Sequence, residues 1–322
     1  MTSSAANAQR VVVLAGGISH ERDISLRSGR QVADALAAHG LHVELRDPDA
    51  SLLPALMAER PDVIWPTLHG ASGEDGALRS LLEFAGIPYV GSLASATRLA
   101  WDKPTAKTLV TRAGVQTPHS ITLTRDAFRE LGAESVLDVV RGELPPPVAV
   151  KPAQGGSAQG VSLVDTDEEL RRAMVLAYTY CDVALIEQRI TGTEICIGII
   201  DTGDGPVALP PVEIEPLSGF YDFEARYNAG ATRFYAPARV EPSVVERATQ
   251  TALAAHDALG LRHLSRIDLM VDGTGTPWFL EASVMPGLTE TSTLALALDA
   301  AGHDVGWVYA ELAQTAIRDA RH

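Results

Sequence analysis

Val148-Ala149-Val150-Lys151-Pro152-Ala153-Gln154-Gly155-Gly156-Ser157-Ala158-Gln159-Gly160-Val161-Ser162-Leu163-Val164 is the stretch on which the fold turns. Two short apolar runs, Val148 to Val150 and Val161 to Val164, flank a loop of glycine and other small residues, which reads as two strands and a hairpin-like lid. Lys151 closes the first run. Glycines let backbone N–H groups approach an anion with no Cβ in the way, and the lysine adds a positive charge, so the loop has the parts of a phosphate cradle. The spacing is not that of a P-loop, and an ordinary glycine-rich connection fits the same letters. Taken alone, the stretch leaves both readings open.

Working outward toward the N-terminus, a helix is expected from about Lys107 to Ala113. Further back, the apolar run Val11 to Leu14 meets Gly16-Gly17 and a helical pattern from about Ile24 to Ala38 that stops before Gly40. Strands are expected again at Val43 to Leu45 and Val63 to Pro66, so strand and helix alternate as in a parallel sheet. Ligand loops belong at such strand ends. Here they carry Gly16, Gly17, Ser19 and Glu21 after the first strand, and His69, Gly70, Glu74 and Asp75 after the third. On the other side of the lid, a helix is expected from Glu168 to Ala177 and a strand from Val183 to Ile186, ending at Glu187. Several strands follow from Glu194, with helices at Val244 to Ala258 and Val305 to Ile317. The fold class is α/β (α+β), with boundaries near residues 101 and 188.

Arg266-Ile267-Asp268-Leu269-Met270 and Phe279-Leu280-Glu281-Ala282-Ser283 place one acid in each of two neighbouring apolar strands. A carboxylate there is costly unless paired or bound to a metal. Two such groups suit magnesium, which takes the rest of its shell from water and nucleotide phosphates. An ion pair with Arg266 is the plainer alternative; clustering of buried acids at functional sites favours the metal. The turn Met285-Pro286-Gly287-Leu288-Thr289-Glu290-Thr291-Ser292 can aim N–H groups at a developing oxyanion. It can equally be a strand-to-helix connection with Ser292 or a nearby threonine as N-cap, and the two roles are compatible.

The 322 residues are 46% hydrophobic, and 41 acidic against 26 basic residues give a net charge of -15. That charge repels nucleic-acid backbones and anionic lipid, so neither partner is expected. ATP is not excluded, because its binding depends on a local cluster of donors and a divalent cation. Cys181 and Cys196, the two cysteines, have no metal-ligand spacing and suggest neither a disulfide framework nor a zinc site. No run approaches the ~20 apolar residues of a membrane helix and the start has no signal-like pattern, so a cytoplasmic protein is expected.

Several separated motifs resemble, in order, the D-alanine–D-alanine ligases of the ATP-grasp superfamily, from about Val11 to Ala316. They are Gly16-Gly17-Ile18-Ser19-His20-Glu21-Arg22, Leu68-His69-Gly70 with Gly73-Glu74-Asp75-Gly76, Asp102-Lys103, the lysine and glycine loop, and Tyr221-Asp222-Phe223-Glu224-Ala225-Arg226-Tyr227. The cluster of Arg266, Asp268, Glu281 and Pro286-Gly287 completes the series. The resemblance implies an ATP-grasp fold: an N-terminal parallel-sheet domain binding substrate (1–101), a small central lid (102–188) and a C-terminal catalytic domain (189–322).

It further implies ATP between the second and third units, with Lys103 and Lys151 on the phosphates. Glu187, Gln188 and Ile190 would lie along the adenine, Glu194 on the ribose, and Arg226 among the nucleotide contacts. Asp268, Glu281 and Ser283 would hold Mg2+, with Mn2+ as a substitute. The first amino acid would place its ammonium on Glu21, with Ser157 and Tyr227 closing over it. Arg266 and the Gly287 N–H would stabilise the tetrahedral intermediate. His69, Ser292 and Thr293 would contact substrate, Ser292 taking the second carboxylate. A homodimer and a role in peptidoglycan precursor synthesis come with the resemblance.

Four positions depart from the family pattern. Ser283 stands where the family has asparagine, Ala158 where it repeats serine, Thr293 where leucine is usual, and Gln188 where lysine is common. They keep other readings in view: a related ATP-grasp ligase of specialised metabolism that activates a different amino-acid carboxylate, a D-serine acceptor suggested by Thr293, and an ATP-binding pseudoenzyme. Retention of Lys103, Lys151, Arg266, Asp268 and Glu281 argues against the last.

Overall fold

The computed structural model describes residues 9–228 and 230–321. These form three sheets. The first joins β1 (Arg10–Leu14), β2 (His42–Arg46) and β3 (Val63–Pro66) in the parallel order β2-β1-β3. Side chains alternate across a strand, so a strand buried on both faces reads as an unbroken apolar run. Val11 and Val13 of β1 enter one core with Val32 and Leu36 of the Arg22–Ala38 helix. Val12 and Leu14 enter the opposite core with Leu52, Leu56 and Leu82.

The second sheet has the order β4-β7-β5-β6, from β4 (Ser120–Thr124), β5 (Val148–Pro152), β6 (Ser162–Val164) and β7 (Val183–Gln188). The pairing of Val148 with Val164 and of Val150 with Ser162 is antiparallel, so the glycine loop is the tip of a hairpin, as expected. The third sheet runs β11-β10-β8-β12-β13, with β9 (Val207–Ala208) beside β8 (Gly192–Ile200). Its other members are β10 (Val212–Pro216), β11 (Thr232–Tyr235), β12 (Leu264–Asp272) and β13 (Pro277–Ser283). Asp268 of β12 lies directly opposite Glu281 of β13, and the register shifts immediately after Asp268.

Helices join these sheets. The Lys103–Arg112 helix begins four residues before the expected start at Lys107, because Asp102 caps it by accepting from Thr105 N and Pro104 fits its first turn. Although it opens the stretch assigned to the lid, its Ala106 and Val110 pack with Phe279 of β13 and with Ala248 and Ala252 of the Pro242–Ala258 helix. The Val305–Asp319 helix returns to the first sheet, where Tyr309 meets Trp65 with ring centroids 5.2 Å apart. The end of the chain thus completes the core at its beginning.

Candidate active site

The loop after β1 passes Gly16 and Gly17 in left-handed conformations, φ +107° and +75°. A Cβ on Gly16 would sit 2.5 Å from the Asp47 carboxylate, closer than any side chain permits. That carboxylate accepts from Gly17 N at 2.9 Å and is bridged by Arg22, whose Nη1 donates back to Gly17 O at 2.8 Å. Ser19 Oγ donates to His69 O at 2.9 Å, tying this loop to the one after β3. Glu21 is thereby held at the start of the Arg22–Ala38 helix.

Glu21 Oε1 accepts hydrogen bonds from Ser157 Oγ, at the hairpin tip, and from Tyr227 Oη at 3.3 Å. Ser157 Oγ and Tyr227 Oη are also bonded to each other. The three groups expected to close over the first amino acid therefore meet, one from each of the three units. Burial pushes the Tyr227 phenol up to about 12, although its bond with Ser157 opposes this, so it is a hydrogen-bond donor at neutral pH. Burial holds His69 below the ordinary imidazole range, despite the Glu21 charge, and Ser28 Oγ lies 3.2 Å from its Nε2. Glu74 accepts from Gly70 N at 2.8 Å; burial, reinforced by Glu21, pushes it up to about 8.

Lys103 Nζ donates to Gly155 O at 2.7 Å and lies 3.3 Å from Glu281 Oε2. Lys151 Nζ lies 2.5 Å from Glu187 Oε1, and Lys107 Nζ lies 2.8 Å from Glu187 Oε2. Burial alone would raise Glu187; the two lysines outweigh it and hold this acid below the usual carboxylate range. Glu187, expected beside the adenine, lines the nucleotide-side cavity with its carboxylate engaged by lysines. Two further residues join the site without being expected there, Lys107, which the sequence marks only as a helix start, and Asp47. Lys107 carried a signal, its i,i+4 spacing from Lys103 on a helix; Asp47 had none, since only the pairing of β1 with β2 brings it to Gly17.

Two cavities open here. One, of about 230 Å³, is lined by Lys151, Glu187, Gln188, Ile190 and Glu194 together with apolar Ala149, Leu163, Met270 and Leu280. The other, of about 510 Å³, is lined by Glu21, His69, Ser157, Tyr227, Arg266, Ser283, Gly287, Ser292 and Thr293. Lys103, Arg226, Asp268 and Glu281 line both. The residues that the resemblance assigned to catalysis, substrate, nucleotide and metal thus all line one cavity or both, whereas Gly16, Gly17, Ser19, Gly70 and Asp75 of the strand-end loops line neither.

At the junction the ion pair weighed against a metal exists: Arg266 donates to both Asp268 oxygens, at 2.6 and 2.8 Å. Burial would raise Glu281, yet Lys103, Arg226, Lys151 and Arg266 together hold it at about 2, ionised throughout the working range. Glu194 is pushed up to about 7 by burial, with Asp268 and Glu281 adding to it and Arg226 opposing. The donor set fits magnesium in one respect. Two oxyanions stand side by side, and among the described residues no group of three or more His, Cys, Asp or Glu forms a cage of its own. Such a pair leaves most of the shell to water and phosphate, the habit of magnesium. Beyond β13, Ser292 Oγ accepts from Ala295 N at 3.3 Å and caps the Thr293–Ala300 helix, as expected of this turn.

A hairpin lid over an antiparallel sheet, with lysines and an acid pair between them, defines an ATP-grasp enzyme. The description "D-ala D-ala ligase C-terminus" matches residues 109–317 and "D-ala D-ala ligase N-terminus" matches residues 53–92. A D-alanine–D-alanine ligase of Magnetococcus marinus is 37% identical over 314 residues, covering 97% of this chain and 98% of that protein. The structure is similar to D-alanine–D-alanine ligase from Bacillus anthracis complexed with ATP, with TM-score 0.79 and 27% identity over 98% of this chain and 99% of that one. It is also similar to the VanG D-Ala:D-Ser ligase from Enterococcus faecalis, with TM-score 0.83 and 26% identity over 96% and 99% of the two chains. The chain belongs to the D-alanine–D-alanine ligase family.

Proposed function

We propose that the chain joins two D-alanines into D-alanyl-D-alanine with conversion of ATP to ADP and phosphate, for peptidoglycan precursor synthesis. The observation that carries this reading is the pair of cavities sharing Lys103, Arg226, Asp268 and Glu281. ATP occupies the smaller, its phosphates toward Lys103 and Lys151, its adenine along Gln188 and Ile190, its ribose at Glu194. The first D-alanine occupies the larger, its ammonium on Glu21 and its carboxylate directed to the junction. A carboxylate oxygen attacks the γ-phosphorus, ADP leaves, and an acyl phosphate forms. The amine of the second D-alanine attacks the acyl carbon while Arg266 and the Gly287 N–H face the developing oxyanion. Phosphate leaves with the bonding pair, the amine loses its proton, and the amide remains. The second carboxylate lies at Ser292, where the helix N-terminus offers N–H groups.

Asp268, Glu281 and the Ser283 hydroxyl would hold Mg2+, which neutralises phosphate charge, with Mn2+ able to substitute. We also propose that the chain divides functionally at residues 101 and 188, and that it works as a cytoplasmic homodimer. Among the described residues no helix is long and apolar enough to cross a membrane. A D-serine acceptor is the second reading, favoured by Thr293, whose hydroxyl-bearing side chain lines the larger cavity.

The test is ATP-dependent phosphate release with mass detection of product, for D-alanine against D-serine and a panel of other D- and L-amino acids. D-alanyl-D-alanine as the main product, lost on chelating divalent ions, is expected. Release only with D-alanine plus D-serine would favour the second reading, and no release with any D-amino acid would sink both.

A further inference from the structure

Behind the nucleotide-side cavity lies a buried cluster that the proposed chemistry does not use in full. Lys107, Glu187 and Lys151 are 4%, 2% and 8% exposed. Lys151 and Glu187 line the cavity, whereas Lys107 approaches Glu187 from the Lys103–Arg112 helix without lining it. One carboxylate therefore serves two ammonium groups, Lys107 on Oε2 at 2.8 Å and Lys151 on Oε1 at 2.5 Å. With all three ionised, the cluster carries one net positive charge. Were Lys107 absent, Glu187 would neutralise Lys151.

We infer that Lys107 is a positioning residue for the ATP phosphates: by occupying half of the Glu187 carboxylate from behind, it leaves the charge of Lys151, at the cavity wall, only partly compensated by that acid. The inference rests on the ATP reading above. The competing role is purely structural, since a buried acid stripped of a cation disturbs the interior whatever binds nearby.

ATP and adenosine separate the two roles, because adenosine reports the base and ribose without the phosphates. Dissociation constants for both are measured on the full chain, for the wild type, Lys107→Met, Lys107→Gln and Lys107→Arg. Lys107→Met is expected to bind ATP about tenfold more weakly, the effect of one charge acting through a protein interior, with adenosine affinity within about twofold of the wild type. Lys107→Arg restores ATP binding by returning the cation. Equal weakening of ATP and adenosine in Lys107→Met, or no weakening of either, overturns the inference. Should Lys107→Met fail to fold, Lys107→Gln decides: a selective loss of ATP affinity supports the inference, and ATP and adenosine affinities both near the wild type, or both equally weakened, overturn it. A wild type that binds neither compound would instead overturn the ATP reading itself.

Discussion

Gly16 and Asp47 show what a single position does for the site. The Asp47 carboxylate occupies the space of a Gly16 side chain and accepts from Gly17 N, and the left-handed Gly16 leads the chain from there to Glu21. The Asp47–Arg22 pair is exposed on both sides, 41% and 46%, so solvent screens it and its worth to global stability is small. Its worth to geometry is larger. Asp47→Ala is expected to raise KM for the first D-alanine several-fold while KM for ATP and the melting temperature stay close to wild type. Steady-state kinetics with each substrate varied in turn check this, and an equal rise in both constants would show that Asp47 supports the fold rather than Glu21. Most site residues could be read from the chain because each lies within a short motif. Asp47 could not, since its partners stand at positions 17 and 22, across a strand pairing that no local pattern reveals.

At the scale of elements, apolar runs bounded by glycine or proline were the most legible, and β3 falls at Val63–Pro66 as expected. The five-residue helix Phe223–Tyr227, which carries Arg226 and Tyr227 to the junction, was not read as a helix; at that length it shows no periodicity, and only the Asp222 cap on Ala225 N announces it. Ser292 announces the Thr293–Ala300 helix similarly, and here the cap and the proposed contact for the second carboxylate fall on one residue. Ser292→Ala removes the acceptor for Ala295 N and the hydroxyl facing the larger cavity. The cap loss costs about 1 kcal/mol, and the loss of the hydroxyl raises KM for the second D-alanine with little change for the first. Ser292→Thr, which keeps an oxygen at the same place, is expected to recover stability and most of the second-site affinity. A variant that loses stability but binds the second D-alanine normally would confine Ser292 to capping.

For the molecule as a whole, three sheets meet at one place, and burial there moves the carboxyls of Glu74 and Glu194 above their ordinary values. Glu74 ends the one-turn helix Ala71–Glu74 that follows β3, and burial first, and the charge of Glu21 next, push it up to about 8. Its carboxyl is therefore protonated in the folded chain at neutral pH and ionised in the unfolded one. A carboxyl raised on folding contributes stability that is fully present below its unfolded value of 4.5 and lost as pH rises through about 8. The ligand-free protein should become less stable across that window, at a rate of at most about 1.4 kcal/mol per pH unit from this group. Glu194, raised to about 7, acts in the same sense below that pH. Glu74→Gln keeps the shape and removes the titration, so the fall in melting temperature between pH 6 and 8 should shrink while part of it, from Glu194, persists. D-alanine should have a related effect: an ammonium bound at Glu21 favours the ionised form of Glu74, lowers its pKa and flattens the same slope. Melting curves for both proteins, with and without D-alanine, measure the two effects together. An unchanged slope in Glu74→Gln would mean that Glu74 is ionised in the folded chain at neutral pH, and that the cavity is wetter than its packing implies.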